Sequence, residues 1–303
     1  MAHVFGFRPK QPVVWFHRQK SRSNRCCLYC GRSLIDGSLP SDKEHLIGCD
    51  FVPNKAFATG QEFNFIFRAC RECNAEKGEM ERHVSAVTMF ASPARATHSA
   101  VNESAQRKAD GDYHPVKKKL VRDAWSELSV ESKAPGFSLS IGMLAPPQLV
   151  PEYVHGLAFR HIQGLFSLVT TKDPRGANEG IRLLPPAHFR LMGYYAHGDW
   201  GNPQLVEVGR RVRDWPMPVV IHTAGGCFRA VMRRQEGERG EWFWALEWNK
   251  SLRVVGGLTD RNQPVVFDGL PELDWKWADP ATRFRPERRL VEGEDTLFPW
   301  PGE

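Results

Sequence analysis

The chain has 303 residues, a formal net charge of +6 and an isoelectric point near 9.0, with 25% of its residues charged and 41% hydrophobic. That basic balance is permissive of a nucleic-acid partner, and no apolar run reaches membrane-spanning length. The run Val13-Val14-Trp15-Phe16 is far too short for a signal-peptide core, so the sequence predicts a cytoplasmic protein with no membrane partner.

The first segment is basic. Asp36 is the first acidic residue, and Arg8, Lys10, Arg18, Lys20, Arg22, Arg25 and Arg32 precede it among Phe5, Phe7, Trp15 and Phe16. Such an arm can track phosphates and stack on bases, its rival being a solvated charged surface or aromatics packed on the fold. Two Cys-x-x-Cys knuckles follow, Cys27/Cys30 and Cys70/Cys73. A two-residue gap lets both sulfurs of a knuckle reach one ion, so the pair predicts four thiolates around a structural Zn2+. An odd total of seven cysteines and the lack of a secretory signal disfavour disulfides. Cys26 could replace Cys27 only by breaking the matched spacing, and Cys49 and Cys227 read as small buried apolar residues.

Between the knuckles, Glu44-His45 precedes the apolar pair Leu46-Ile47. Histidine is suited to deprotonating water near neutral pH, and an adjacent carboxylate can hold a hard cation. The second knuckle runs into Asn74-Ala75-Glu76-Lys77-Gly78 and a predicted helix to Phe90, weakened by Gly78. One turn from Asn74, Lys77 shares its face and is placed to steady a phosphate, whereas His83 falls on the far side and reads as a surface histidine.

Taken from about Arg25 to His83, these residues resemble the HNH endonucleases: a knuckle, an acid–His pair, a middle Asn, then a knuckle running into His or Asn and a Lys. The resemblance implies a ββα-metal site in which His45 is the general base and Glu44 and Asn74 bind a catalytic Mg2+ or Mn2+. It also implies that a middle Asn orients the loop bearing the His. Asn64 opens the apolar run Phe65-Ile66-Phe67 but lies one residue further from Cys70 than the family pattern, and Asn54 competes with it. The implied activity is hydrolysis of DNA phosphodiester bonds, RNA remaining open as substrate, in a setting such as restriction or phage defence.

The resemblance covers less than a third of the chain. Residues 1–90 read as arm plus nuclease module, 91–116 as a polar linker, and 117–303 as a second unit of unrecognised type. Lys117 to Trp125 predicts a helix with a basic face. Val154, Leu157, Ala158, Ile162, Leu165, Phe166 and Val169 recur at helical spacing, with His161 on that face as a core histidine. Alternation over Cys227–Arg233, Glu241–Trp248, Leu252–Val255 and Val265–Phe267 predicts antiparallel strands, with Trp242, Trp244, Leu246 and Trp248 on one core face. The proline-bearing stretch after Trp275 reads as irregular. The expected class is α+β, with a sensing or specificity role for the second unit, through which a small molecule or protein could activate the first. The rival reading is a non-catalytic zinc scaffold that binds nucleic acid or protein.

Overall fold

The computed structural model describes residues 4–14, 24–35, 37, 39–57, 64–134, 137–171, 181–237, 240–277 and 283–299. Of the predicted basic arm, Trp15, Phe16, Arg18, Lys20 and Arg22 lie outside these residues, as does Asp36. The class is α+β, as the alternating and helical periodicities predicted.

Two short antiparallel strands, β1 (Ser41–His45) and β2 (Ile66–Cys70), lead into the helix α1 (Arg71–Phe90). The stretch predicted as a linker is instead folded onto this unit. A 3-10 turn at Pro93–Ala96, capped by Ser92 accepting from the Ala94 N–H, precedes the helix α2 (Ser99–Gly111), which packs on α1. Its buried face is Val101, Ser104, Ala105, Lys108 and Ala109, a helical spacing built from small residues and a lysine stem. So polar a face carries almost no hydropathy signal, which is why composition alone suggests a linker.

Lys117 to Trp125 is not a helix. The chain closes a loop through an antiparallel bridge between Tyr113 and Leu120, makes a 3-10 turn at Val121–Asp123, and enters the hairpin β3 (Ser126–Ala134) and β4 (Phe137–Ala145). Helix α3 (Pro151–Thr170) follows, with Pro151 in the first turn, where a missing N–H costs nothing. His83 caps its entry: the imidazole Nε2 accepts from the Val150 N–H at 3.0 Å, and the ring is buried against His114 and Tyr153. The surface position expected for His83 assumed solvent opposite the site, whereas α3 and its entry loop pack there.

The remainder builds a five-stranded antiparallel sheet in the order β5-β9-β8-β7-β6, from β5 (Phe189–Ala196), β6 (Val219–Thr223), β7 (Phe228–Arg234), β8 (Trp242–Trp248) and β9 (Leu252–Leu258). Trp242, Trp244, Leu246 and Trp248 share one fully buried face toward α3. Phe243 and Ala245 face the other way, against the helix α4 (Pro203–Val212) and the tail residues Leu297 and Phe298. Val265–Phe267, expected as a strand, is a 3-10 turn after Pro264, and the described residues of the tail add the two-residue strands β10 (Lys276–Trp277) and β11 (Arg283–Phe284).

The boundaries expected at residues 90 and 116 do not divide the core. One apolar cluster runs from Leu28, Leu46 and Phe51 through Leu157 and Phe166 to Phe228 and Trp248. Buried hydrogen bonds join the same parts: Asn249 Nδ2 donates to Phe51 O and Thr88 Oγ1, and Ser92 Oγ donates to Asn249 O. Gly164 in α3 lets the helix lie against the Leu46 side chain, which a Cβ at that position would strike. The described start of the arm is also knitted in rather than free. Gly6 N–H donates to Leu183 O, Phe7 packs at a tilt against His188 and Phe166, and Trp242 Nε1 donates to Pro9 O. Among the described residues no helix is long and apolar enough to cross a membrane.

Candidate active site and metal centre

Cys27 and Cys30 sit on a tight turn closed by Gly31, whose φ of +70° suits glycine, and whose N–H donates to Cys27 O. Cys70 ends β2 and Cys73 lies in the first turn of α1, so the strand-to-helix junction presents both sulfurs to the turn. The sulfurs of Cys27, Cys30, Cys70 and Cys73 lie within 4.8 Å of one another, with Cys30 and Cys70 at 3.8 Å. A tetrahedral zinc with bonds of about 2.3 Å needs sulfurs about 3.8 Å apart, so this donor set fits a zinc-type ion. Cys26 lies outside the cluster, and Cys49 is exposed rather than buried.

Hydrogen-bond donors surround the sulfurs. Tyr29 and Cys70 N–H groups each donate to Cys27 Sγ at 3.4 Å, and Arg32 reaches Cys30 Sγ at 3.2 Å and Cys70 Sγ at 3.5 Å. The Cys73 hydrogen bond holds the Cys27 thiol down to about 4 against burial, while the same bond and burial push Cys73 up. A divalent ion removes that competition for the proton, and Arg32 offsets part of the charge of four thiolates.

His45 is the last residue of β1, opposite Ile66, and is partly exposed at the wall of a cleft of about 510 Å3. Asp50, Glu81, Arg82, Arg107, Lys108 and Asp112 line the cleft with it. Buried groups pin the backbone on either side of the imidazole. Lys77 Nζ donates to His45 O at 2.9 Å, and the Gly48 N–H donates to Glu81 Oε1 at 2.8 Å. Asn64 takes Ile47 from both sides, its Nδ2 donating to Ile47 O at 2.6 Å and its Oδ1 accepting from the Ile47 N–H at 3.2 Å. Of the two candidate asparagines, Asn64 therefore touches the His45 loop, while exposed Asn54 gives its N–H to Ser104 Oγ.

Glu44 and Lys77 differ from their expected roles. Neighbouring strand residues point to opposite faces, so Glu44 turns inward, 2% exposed, when His45 faces the cleft. Its Oε1 accepts from Tyr29 OH at 3.0 Å and lies 2.7 Å from Lys77 Nζ. Lys77, also 2% exposed, reaches Glu81 Oε1 at 2.8 Å, and His161 Nε2 stands 3.8 Å beyond on that oxygen. Lys77 is thus a buried ammonium between two carboxylates and not a surface phosphate clamp. Burial lifts the Glu44 carboxyl above its usual range despite Lys77, and burial alone would lower Lys77, but Glu81 and Glu44 keep it raised. Burial would also raise Glu81, yet Lys77 and His161 hold it below the ordinary value.

Asn74 is half-buried one turn before Gly78, a residue of the cleft wall. Among the described residues, the four cysteines are the group of three or more His, Cys, Asp and Glu donors close enough to share an ion. With Glu44 committed to Lys77, Glu44 and Asn74 do not fit as a preformed magnesium or manganese site. Sequence reasoning missed Glu81, although its i,i+4 spacing from Lys77 was readable. It also missed Arg107, Lys108 and Asp112, which reach the cleft only because residues 99–111 are helical.

Two buried histidines give a pH prediction. Burial holds His161 at about 4, with Lys77 adding to that, and it holds His83 at about 4 with help from His114, each below the ordinary 6.5. Their folded forms stay neutral while the unfolded chain takes up protons. The stability they supply is complete above about 6.5 and is lost as pH falls toward 4, on the order of 2–3 kcal/mol per group. His161→Phe, in a ring pocket of Phe51, Phe228 and Trp248, is expected to flatten the denaturation profile between those pH values. An unchanged acid limb would remove His161 as its source.

A scan against protein-family models finds no match, and neither the curated proteins nor the solved structures include one that matches this chain.

Proposed function

We propose that the chain is an HNH-type nuclease that hydrolyses phosphodiester bonds of DNA, with His45 as the general base. The observation that carries the reading is a β-hairpin and helix closed by four cysteines, with His45 at a cleft of mixed charge, on a loop that Asn64 holds at both main-chain groups of Ile47. His45 takes a proton from water, the oxygen attacks phosphorus, and the bond to the 3′ oxygen breaks, leaving a 5′ phosphate and a 3′ oxygen that takes a proton from solvent to become a hydroxyl. Arg82 and Arg107 at the cleft supply positive charge for the phosphate. The family resemblance adds Mg2+ or Mn2+, whose chemistry would be to polarise the phosphate. Because Glu44 is committed elsewhere, that requirement is put to the assay and not to a residue. A role of the C-terminal half in sensing a small-molecule or protein activator belongs to the same proposal.

Plasmid and single-stranded substrates, with and without Mg2+ or Mn2+, compare the whole protein with His45→Ala after zinc content is matched. The wild type should cut, and His45→Ala should lose about a hundredfold or more, the usual worth of a positioned general base. Cutting that survives the substitution would remove His45 from its role. A second reading is supported by Lys77, whose ammonium already neutralises Glu44 and Glu81 from within: the unit would then be a zinc scaffold that binds nucleic acid without cutting it. Zinc-loaded protein that binds DNA and never cleaves it would favour that reading.

A further inference from the structure

Beyond the cleft, α2 ends at Gly111 and Asp112 on the cleft wall, and the chain then makes the Tyr113–Leu120 loop. This loop is rigidly built. The buried His114 Nδ1 accepts from the Val116 and Lys117 N–H groups at 3.3 Å, and its Nε2 pairs with Gln148 O at 2.9 Å. Lys117 Nζ donates to Ala124 O and Trp125 O at 2.9 Å each, locking the loop to the entrance of β3. Trp125 Nε1 donates to Arg122 O at 2.8 Å, which fixes the indole by its edge. On this ordered base, the Tyr113 ring is 64% exposed and Trp125 44% exposed. Both rings therefore offer apolar faces to solvent, Tyr113 on the residue that follows Asp112 of the cleft wall and Trp125 on an indole held by its edge.

Charge selects the ligand. Three of the local acids are answered from within the fold: Arg122 pairs with Asp110 at 2.9 Å and Asp123 at 3.5 Å, and Lys108 with Asp112 at 3.6 Å. Arg82, Arg107, Lys118 and Lys119 are exposed around the same path, two of them on the cleft itself. Ring faces suit bases, and flexible cations suit phosphates, but stacking requires bases that are not already stacked in a duplex. We propose that Tyr113 and Trp125, flanked by these four cations, form a docking platform for an unpaired segment of a nucleic-acid strand that leads into the His45 cleft. The proposal rests on the nuclease reading only for the direction of the strand, since binding is measurable apart from cutting.

The test uses the whole zinc-loaded protein in the His45→Ala background, with fluorescence anisotropy of labelled single-stranded DNA of about 20 nucleotides, long enough to span one binding groove, the same sequence as RNA, and the DNA duplex. Single strands should bind more tightly than the duplex, and the DNA and RNA arms identify the natural sugar. Tyr113→Ala and Trp125→Ala should each weaken single-strand binding by about tenfold, and Tyr113→Phe should restore it, since one stacked base is worth about that much. Replacing Lys118 and Lys119 by Gln should lower the salt slope by about 0.7 for each phosphate that is no longer neutralised. Matched zinc content and circular dichroism certify the fold of every variant. Equal affinity in the Tyr113→Ala/Trp125→Ala double variant would overturn the platform, even if the wild type cuts DNA. Lack of binding to any of the three nucleic acids would also overturn it and return the surface to a protein partner. Platform-dependent binding in a wild type that never cuts would sustain it while the nuclease reading fails.

Discussion

Removing the metal, or one of its sulfurs by Cys70→Ser, should collapse the N-terminal unit and carry much of the remaining fold with it. Structural zinc in small sites is worth about 10–16 kcal/mol, comparable with or larger than the total stability of about 5–15 kcal/mol of an ordinary domain. The Cys27 turn reaches β2 through the sulfurs, through the Leu28 N–H donating to Arg68 O at 3.2 Å, and through Asn24, whose side chain bonds Cys26 O and both main-chain groups of Arg68. Since Leu28, Cys70 and Phe67 belong to the same apolar cluster as Phe166 and Trp248, loosening one end exposes the other. Metal analysis should find one zinc per chain, and chelation should abolish the cooperative thermal transition or lower its midpoint by well over 10 °C, given about 2–4 °C per kcal/mol at larger domain sizes. Cys49→Ser, at an exposed thiol outside the cluster, is the control and should change neither quantity. A Cys70→Ser protein with full zinc and an unshifted midpoint would mean that the four sulfurs do not share an ion.

The site was legible in sequence where chemistry is written as spacing. Two residues between cysteines, repeated, can mean little else, and the Trp242, Trp244, Leu246, Trp248 alternation places a core face whatever the topology. Orientation was less legible. Glu44 and His45 are adjacent letters, and only their alternation across β1 sends one to Lys77 and the other to the cleft. The geometry of a single helix sends His83 to solvent, because it holds no information about α3 packing on the far side. The cleft itself was hidden because Arg107, Lys108 and Gly111 of its wall come from α2, a helix whose inner face is Ser104, Ala105, Ala109 and a lysine stem. Small residues let α2 approach α1 closely, but they give a hydropathy pattern close to that of a polar connection. The unity of the core across residues 90 and 116 was unreadable for a different reason. It depends on long-range partners such as Asn249 with Thr88 and Gly164 with Leu46, and no local window contains both members of either pair.

Lys77→Met should be the most damaging single change outside the zinc cluster, and it separates a buried anchor from a surface clamp. Removing one partner from a buried charge set costs about 3–5 kcal/mol, because the remaining charges keep their desolvation penalty and lose its offset. Here the survivors would be two carboxylates, Glu44 and Glu81, formerly 2.7 and 2.8 Å from one ammonium. Two buried carboxylates left without the ammonium between them favour sharing a proton, so one would take up a proton and its pKa would rise. A raised carboxyl pKa stabilises the folded form below it and loses that contribution as pH increases, so the variant should recover in mild acid. The wild type behaves in the opposite sense, since His83 and His161 weaken it as pH falls toward 4. Adding Glu81→Gln to Lys77→Met should restore part of the loss at neutral pH and flatten the dependence. Activity should fall further than stability explains, because His45 O loses its Lys77 donor, although Asn64 and Glu81 still bond the main chain on its far side. Were Lys77 instead a phosphate clamp, Lys77→Met would leave the melting temperature unchanged and reduce the salt slope of DNA binding by the share of about one phosphate. Paired melting and binding titrations on this one variant therefore decide whether the lysine works on the substrate or on the loop that carries His45.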